Sequence, residues 1–325
     1  MLKDMHIVLA SDNNYAPFVS VVIVSLLRTN PDVEVLHVHL LANGVSDDTL
    51  QKIQEIPGRE RLHLHTYDIS NLREMLQVDV PSTIAMSSYA RLFMADILPK
   101  DIDKVLYLDC DVVAAASLKE LWQTDMGKMW VAGVLDALPN AVPKTAVGMQ
   151  ADEPYLNAGI LLVNLKAWRE QDLTHRFLDF LLLHNGNVYH HDQGIINGVC
   201  RRKKIVVHPR YNMTASHFSH PGSFVRQLIT PFYIDQALAE GRAAPALLHF
   251  TEGFYNRPWK RHCNHPMKSV FFDNLRLTPW ADMPLQPDMR ALVVRLLSWE
   301  FVYLPMWVYK MTQWSIGMIK KIAKI

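Results

Sequence analysis

Short apolar runs and longer segments of helical period alternate along this chain from its first residues. His6-Ile7-Val8-Leu9-Ala10 suits a strand buried on both faces, and it ends in the polar cluster Ser11-Asp12-Asn13-Asn14, where a loop is expected. Ala16 to Arg28 has a helical pattern, with Pro17 placed for a first turn and Asn30-Pro31 as the stop. Val33 to Leu41 reads as a second strand, so the opening predicts a βαβ unit with parallel strands. Ser46 can cap a helix whose first turn holds Asp47 and Asp48. Further strands are expected at Arg61–Tyr67, Val105–Leu108, Met129–Leu135 and Gly159–Leu165, and an amphipathic helix at Ser87–Leu98. Helices near 174–184 and 191–199 follow, with Lys204–Val207 and Ala246–Phe250 as the last strands. The pattern predicts an α/β fold with an open, Rossmann-like sheet, which binds ligands beyond the carboxyl ends of its strands.

The end of the chain differs in kind. Residues 288–325 hold six basic and two acidic residues, a local charge of +4, and Pro305 divides them into helix, break, helix. At about 100° per residue, Lys310, Lys320, Lys321 and Lys324 share one arc with Gln313. Met311, Ile316, Met318, Ile319 and Ile322 lie opposite, with Trp307 and Trp314 at the border. That distribution is expected of a helix lying on an anionic membrane surface. No stretch reaches the roughly 18 apolar residues needed to cross a bilayer.

Composition narrows the classes. Half of the 325 residues are hydrophobic and 20% are charged, which supports a buried core and excludes wholesale disorder. A net charge of +1 argues against a nucleic-acid partner. Cys110, Cys200 and Cys263 are too few and too scattered for a disulfide framework or a CxxC zinc site. The start of the chain lacks the apolar core of a signal peptide, so the expected location is cytoplasmic, peripheral on the cytoplasmic face of the cell membrane.

Chemistry first suggests itself at Asp109-Cys110-Asp111, where an apolar strand delivers two carboxylates to the end of a sheet. Hard divalent cations take such ligands together with phosphate oxygens and water, so the pair suits a metal-bridged nucleotide diphosphate. Cys110 reads as a small buried spacer. Asp12-Asn13-Asn14-Tyr15 follows the first strand without GxGxxG or GxxxxGK, so a base would be held by side chains: a carboxylate, an amide and a stacking tyrosine. Arg91 sits among apolar neighbours in Ser88-Tyr89-Ala90-Arg91-Leu92, either snorkelling or gripping a phosphate or carboxylate. Asn157-Ala158-Gly159 joins a polar turn to a strand, and His191-Asp192-Gln193 introduces a helix. His249 ends a strand with Arg257-Pro258-Trp259 close behind. His37 with His39, and His63 with His65, share strand faces and read as boundary histidines.

In this order, Ala10 to Tyr15, Ser88 to Leu92, Lys104 to Val112 (KVLYLDCDV), Asn157-Ala158-Gly159, Asp192-Gln193 and His249 with Pro258-Trp259 resemble glycosyltransferase family 8. That family includes retaining lipopolysaccharide and lipooligosaccharide α-galactosyl- and α-glucosyltransferases. The resemblance implies a glycosyltransferase-A type catalytic domain, expected over 1–265, while the pattern of the tail makes 266–325 the expected membrane-associating helical region. It further implies uridine contacts at Asp12, Asn14 and Tyr15 with backbone from Ala10, and a divalent cation, Mn²⁺ or Mg²⁺, on Asp109, Asp111 and His249. Arg91, Asp136, Asn157, Asp192 and Gln193 would face the donor sugar, and Gly253 and Arg257 would sit near the phosphates. The implied partners are a UDP-hexose donor and a saccharide or lipid-linked oligosaccharide acceptor.

The chain departs from the family pattern in places. Eight residues separate His249 from Pro258, more than the usual spacing; Arg257 stands where a lysine is common, and Gly194 replaces a common acidic residue. Breaking a sugar–phosphate bond leaves a dianionic diphosphate, which needs positive charge where the negative charge develops, and an oxocarbenium-like sugar carbon. Retention requires a covalent nucleophile or same-face attack, for which Asp192 and Gln193 are the candidates; same-face attack with Gln193 as electrostatic support is favoured. Alternatives are a sugar-phosphate nucleotidyltransferase, whose glycine-rich phosphate loop is missing, and a sugar-nucleotide-binding assembly protein without turnover.

Overall fold

The computed structural model describes residues 2–81, 86–138, 140–218, 233–252 and 255–315, the last without 306, 309 and 313. Strand β1 (Leu2–Asp12) pairs in parallel with β2 (Val33–Asn43), and β2 pairs in parallel with β3 (Leu62–Asp68). On the other side of β1 lies β4 (Lys104–Leu108), also parallel. Helix α1 (Ala16–Thr29) makes the first crossover, with Pro17 in its first turn; Ser46 caps α2 (Asp47–Ile53) by accepting from the Thr49 amide.

The sheet is mixed. Its seven strands run β3-β2-β1-β4-β7-β6-β8, with β6 (Val131–Leu135), β7 (Leu156–Asn164) and β8 (Lys204–Val206). β7 is antiparallel to both β4 and β6. Strand order reverses between β1 and β4, so a crevice opens at their carboxyl ends, next to Asp12 and Asp109. The apolar runs of β1 and β4 are buried on both sides, packing against α1 on one face and against Tyr89, Leu92 and Trp168 on the other.

Three local expectations are corrected. Ser87–Leu98 is not one amphipathic helix: Met86–Phe93 winds as a 3-10 helix, followed by a single α turn at Met94–Ile97. Tyr89, Ala90, Arg91, Leu92 and Phe93 are all buried in succession, so this segment presents no polar face to solvent there. The 155–158 stretch is no polar turn, because β7 begins at Leu156 and includes Asn157. The last strand, β10 (Leu247–His249), leaves the main sheet for a three-stranded one, between β5 (Val112–Ala114) and β9 (Met213–Thr214).

Beyond the sheets, helix Lys268–Leu275 packs Phe271 and Leu275 into the same core as α1, and Arg28 donates to Asn274 Oδ1 at 2.9 Å. Helix Leu292–Tyr303 ends at Leu304, held extended (φ −109°, ψ 158°) by the following Pro305. Among the described residues no helix is long and apolar enough to cross a membrane. Gln313 and 316–325, which carry most of the expected lysine arc, lie outside the described residues. The three cysteines are free.

The paired histidines do share one sheet face, and His6 joins them. His6 stacks on His37 at 4.5 Å between ring centres and His39 on His65 at 4.8 Å. His6 Nδ1 lies 3.0 Å from His39 Nε2, and His39 Nδ1 lies 3.0 Å from the Tyr67 hydroxyl. Burial, reinforced by neighbouring histidines and opposed at His6 by Asp4 and Asp101, lowers His6 from 6.5 to about 4; burial and its neighbours lower His39 to about 3. The unfolded chain therefore binds more protons below the ordinary value of 6.5, so this array supports full stability above that pH and loses it as pH falls toward 4. Urea unfolding at pH 7 and pH 5 should show the loss, of which His39 supplies about 1–2 kcal/mol. His39→Gln, which keeps hydrogen bonding without titrating, should remove that share; an unchanged pH slope would refute the assignment.

Candidate active site

Two segments distant in sequence build the core of the site. β4 delivers Asp109 at its carboxyl end, and the backbone N–H of Asp109 donates to Gly159 O at 2.7 Å, fixing it beside β7. The chain then turns into β5, where Val112 pairs with His249 of antiparallel β10, and the Phe250 amide donates to Asp111 O at 2.9 Å. That register brings Asp109, Asp111 and His249 together, with one ligand atom from each lying within 4.8 Å of the others. His249 Nε2 is 3.1 Å from Asp111 Oδ1 and 3.9 Å from Asp109 Oδ2. Two carboxylates and one imidazole form an oxygen-rich set that fits a divalent cation of hard or borderline character.

Gly159 explains why a glycine closes the Asn157-Ala158-Gly159 motif. A Cβ there would collide with the His249 ring and stand 2.7 Å from Asp109 Oδ2. Gly194 has a comparable reason, since a Cβ would run into the Tyr189 carbonyl. His190 and His191 enter that helix with left-handed φ of 58° and 54° and bring its first turn onto Tyr189. The missing acidic side chain after Asp192-Gln193 is thus a packing requirement of this chain.

Arg91 does not snorkel. It is buried, with Nη2 2.8 Å from Asp109 Oδ1, Nε 3.0 Å from Asp192 Oδ2 and Nη1 donating to the Ala158 carbonyl. Its guanidinium also lies 4.4 Å from the Tyr107 ring centre, and the Tyr107 hydroxyl donates to Asp109 Oδ1 at 3.0 Å. Burial works against the Arg91 charge, but Asp109 and Asp192 more than offset it and raise its pKa. Burial raises Asp192 to about 6; Arg91 pulls it down and the like charge of Asp109 adds to the rise.

A second cation serves the other carboxylate. Arg257 Nη2 lies 3.1 Å from Asp111 Oδ2, while Nη1 donates to the Tyr15 hydroxyl at 2.7 Å. Burial disfavours both charges of the Asp111–His249 pair, yet their mutual attraction lowers Asp111 and raises His249. His249 Nε2 and the Arg257 guanidinium thus both face the Asp111 carboxylate.

Around this centre two cavities meet. Ala10, Ser11, Asp12 and Tyr15 line the first; Asp136, Asn157, His190, Asp192 and Gln193 line the second. Arg91, Asp109, Asp111 and Arg257 border both. Asp12 Oδ1 accepts from the Asn14 and Tyr15 amides at 2.9 and 3.1 Å, so part of its capacity shapes the loop. Asn14 itself is exposed and lines neither cavity, and Gly253 lies outside the described residues. In the second cavity Asp136 accepts from Asn157 Nδ2 at 3.1 Å and from Gln193 Nε2 at 2.8 Å, while Gln193 Oε1 accepts from the Ala158 amide at 3.0 Å.

The chain that builds this cleft has relatives among known proteins. A family model described as glycosyl transferase family 8 matches residues 6–263. The chain belongs to glycosyltransferase family 8. It is 27% identical over 288 residues to general stress protein A of Bacillus subtilis, covering 86% of this chain and 96% of that one. It is 25% identical over 276 residues to lipopolysaccharide 1,2-glucosyltransferase of Escherichia coli K12, covering 83% and 77%. The galactosyltransferase LgtC, solved with donor and acceptor sugar analogues, superposes with a TM-score of 0.70 at 26% identity, covering 85% of this chain and 96% of that one. The fold is therefore the glycosyltransferase-A type, and members of the family use a divalent metal and a nucleotide-sugar donor.

Sequence reasoning missed the residues that support this centre rather than touch it: Tyr107, which donates to Asp109, and Asn212, which contacts His249 and Asn157. Tyr107 sits two residues before Asp109 on the same strand face, a signal that was available. Gly159→Ala should weaken Mn²⁺ binding by at least about tenfold, as expected when ligands are forced apart. Isothermal titration without donor measures it, and unchanged affinity would show that Gly159 does not guard the site.

Proposed function

We propose that this family 8 enzyme is a retaining hexosyltransferase. It moves galactose or glucose from UDP-galactose or UDP-glucose to a saccharide acceptor, a lipid-linked lipopolysaccharide core oligosaccharide, with Mn²⁺ in the cleft. One observation carries the reading: the candidate cation ligands lie at the junction of the two cavities, where a diphosphate joins nucleoside to sugar. The names of the similar E. coli glucosyltransferase and of LgtC support the hexose and the acceptor class.

In this reading Tyr15 stacks on uracil, Asp12 contacts the uridine with backbone from Ala10, and Asn14, exposed outside the cavity, would have to turn inward to reach it. Asp109, Asp111 and His249 would hold the cation, which when bound would supply Lewis-acid stabilisation of the departing diphosphate. Arg257 would turn from Asp111 to the phosphates, and Gly253 is proposed for the same phosphate contact. Arg91, Asp136, Asn157, Asp192 and Gln193 orient the sugar. The bond from the anomeric carbon to the phosphate oxygen breaks, the acceptor hydroxyl attacks from the same face, and its proton passes to the leaving oxygen. Asp192 suits positioning better than covalent attack, because Arg91 occupies its Oδ2 and burial weakens its ionised form. Gln193, locked by Ala158 and Asp136, supplies a fixed dipole beneath the sugar.

Screening UDP-hexoses for slow hydrolysis without acceptor, in the presence of Mn²⁺, tests the donor. Asp111→Asn should abolish Mn²⁺-stimulated UDP release while far-UV circular dichroism stays unchanged; undiminished turnover would falsify the metal assignment.

Residues 1–265 are proposed as the catalytic unit and 266–325 as a helical region whose first helix packs on the catalytic core and whose later part attaches to the cytoplasmic membrane face. Leu296, Trp299, Trp307 and Trp314 are 54%, 52%, 64% and 67% exposed, which supports an interfacial surface. The full chain should sediment with anionic liposomes, and a Leu296→Glu/Trp299→Glu/Trp307→Glu variant should not. Equal sedimentation of both would remove membrane attachment through this surface.

A further inference from the structure

Asn212 stands directly before β9 and is fully buried. Its Oδ1 lies 3.0 Å from His249 Nδ1, and its Nδ2 donates to Asn157 Oδ1 at 2.9 Å. Asn157 in turn donates to Asp136, which also accepts from Gln193. One unbroken chain of hydrogen bonds therefore links the imidazole at the cation ligands to the amide in the second cavity.

The direction of each link follows from the acceptor in its middle. A carboxylate only accepts, so Asp136 requires Asn157 to present its amide N–H. Asn157 Oδ1 is then turned toward Asn212, which must answer with its own N–H. That leaves Asn212 Oδ1 facing His249, and the imidazole must carry a proton on Nδ1. Nε2 is consequently the atom aimed at Asp109 and Asp111.

We propose that Asn212 is a positioning residue. It fixes the ring and tautomer of His249 so that Nε2 is free for a cation, and it ties the cation site to the donor-sugar pocket through Asn157. Metal-binding histidines depend on such an outer partner for orientation and basicity. The inference rests on the reading of Asp109, Asp111 and His249 as cation ligands.

The test is Mn²⁺ affinity of the whole chain without donor, read from the electron paramagnetic resonance signal of free Mn²⁺. Asn212→Leu, which leaves His249 Nδ1 without an acceptor, should weaken binding about 10–100-fold. Asn212→Asp keeps an acceptor for Nδ1 but loses the donor to Asn157. It should bind Mn²⁺ like the unaltered chain and lose affinity for the nucleotide sugar instead. Equal Mn²⁺ losses in both variants, or none in Asn212→Leu, overturn the proposal. Should neither variant fold, a crystal structure of the unaltered chain with Mn²⁺ decides: Nε2 on the ion with Nδ1 against Asn212 Oδ1 upholds it, and coordination through Nδ1 overturns it. If the unaltered chain binds no Mn²⁺, the cation assignment itself falls and takes this inference with it.

Discussion

Crowding carboxylates into a half-dry cleft is the constraint around which this molecule is arranged. Asp109, Asp111 and Asp192 lie at one end of the sheet, two of them buried, and unpaired charges there would each cost several kcal/mol, on the order expected for buried ions. Arg91 answers the first and third, and Arg257 with His249 answers the second. Met86–Phe93 carries Arg91 inward between apolar neighbours. In the second sheet, β10 brings His249 beside Val112.

Much of this was legible in the sequence. The βαβ opening, the Ser46 cap and the strand ahead of Asp109 follow from apolar runs, caps and breakers, which are local signals. The sequence also singled out Asp12, Arg91, Asp109, Asn157 and His249, and these line the two cavities. What escaped was non-local. Nothing around Leu247–His249 says that the strand joins a different sheet, because its pairing partner lies more than a hundred residues away. The antiparallel insertion of β7 between β4 and β6 is equally invisible, for apolar runs do not record direction. Asn212 escaped because an asparagine before a two-residue strand resembles any turn former.

The three departures from the family pattern each meet a different local setting. Gly194 is explained by the Tyr189 carbonyl pressed against it. Arg257 is explained by what it holds: a guanidinium reaches Asp111 and the Tyr15 hydroxyl at once, through two nitrogens, which a lysine ammonium would do less directionally. The longer spacing between His249 and Pro258 still lets Trp259 stack on Phe18 at 4.1 Å, anchoring the segment after the site to α1.

The antiparallel pairing of β5 with β10 also sets when, and not only where, the centre exists. Asp109 and Asp111 leave the ribosome long before His249, so a growing chain carries two carboxylates whose imidazole has yet to be made. The ion-binding pocket is therefore completed late in synthesis, and a fragment ending before β10 would hold the acidic half of the ligand set without the strand that closes it.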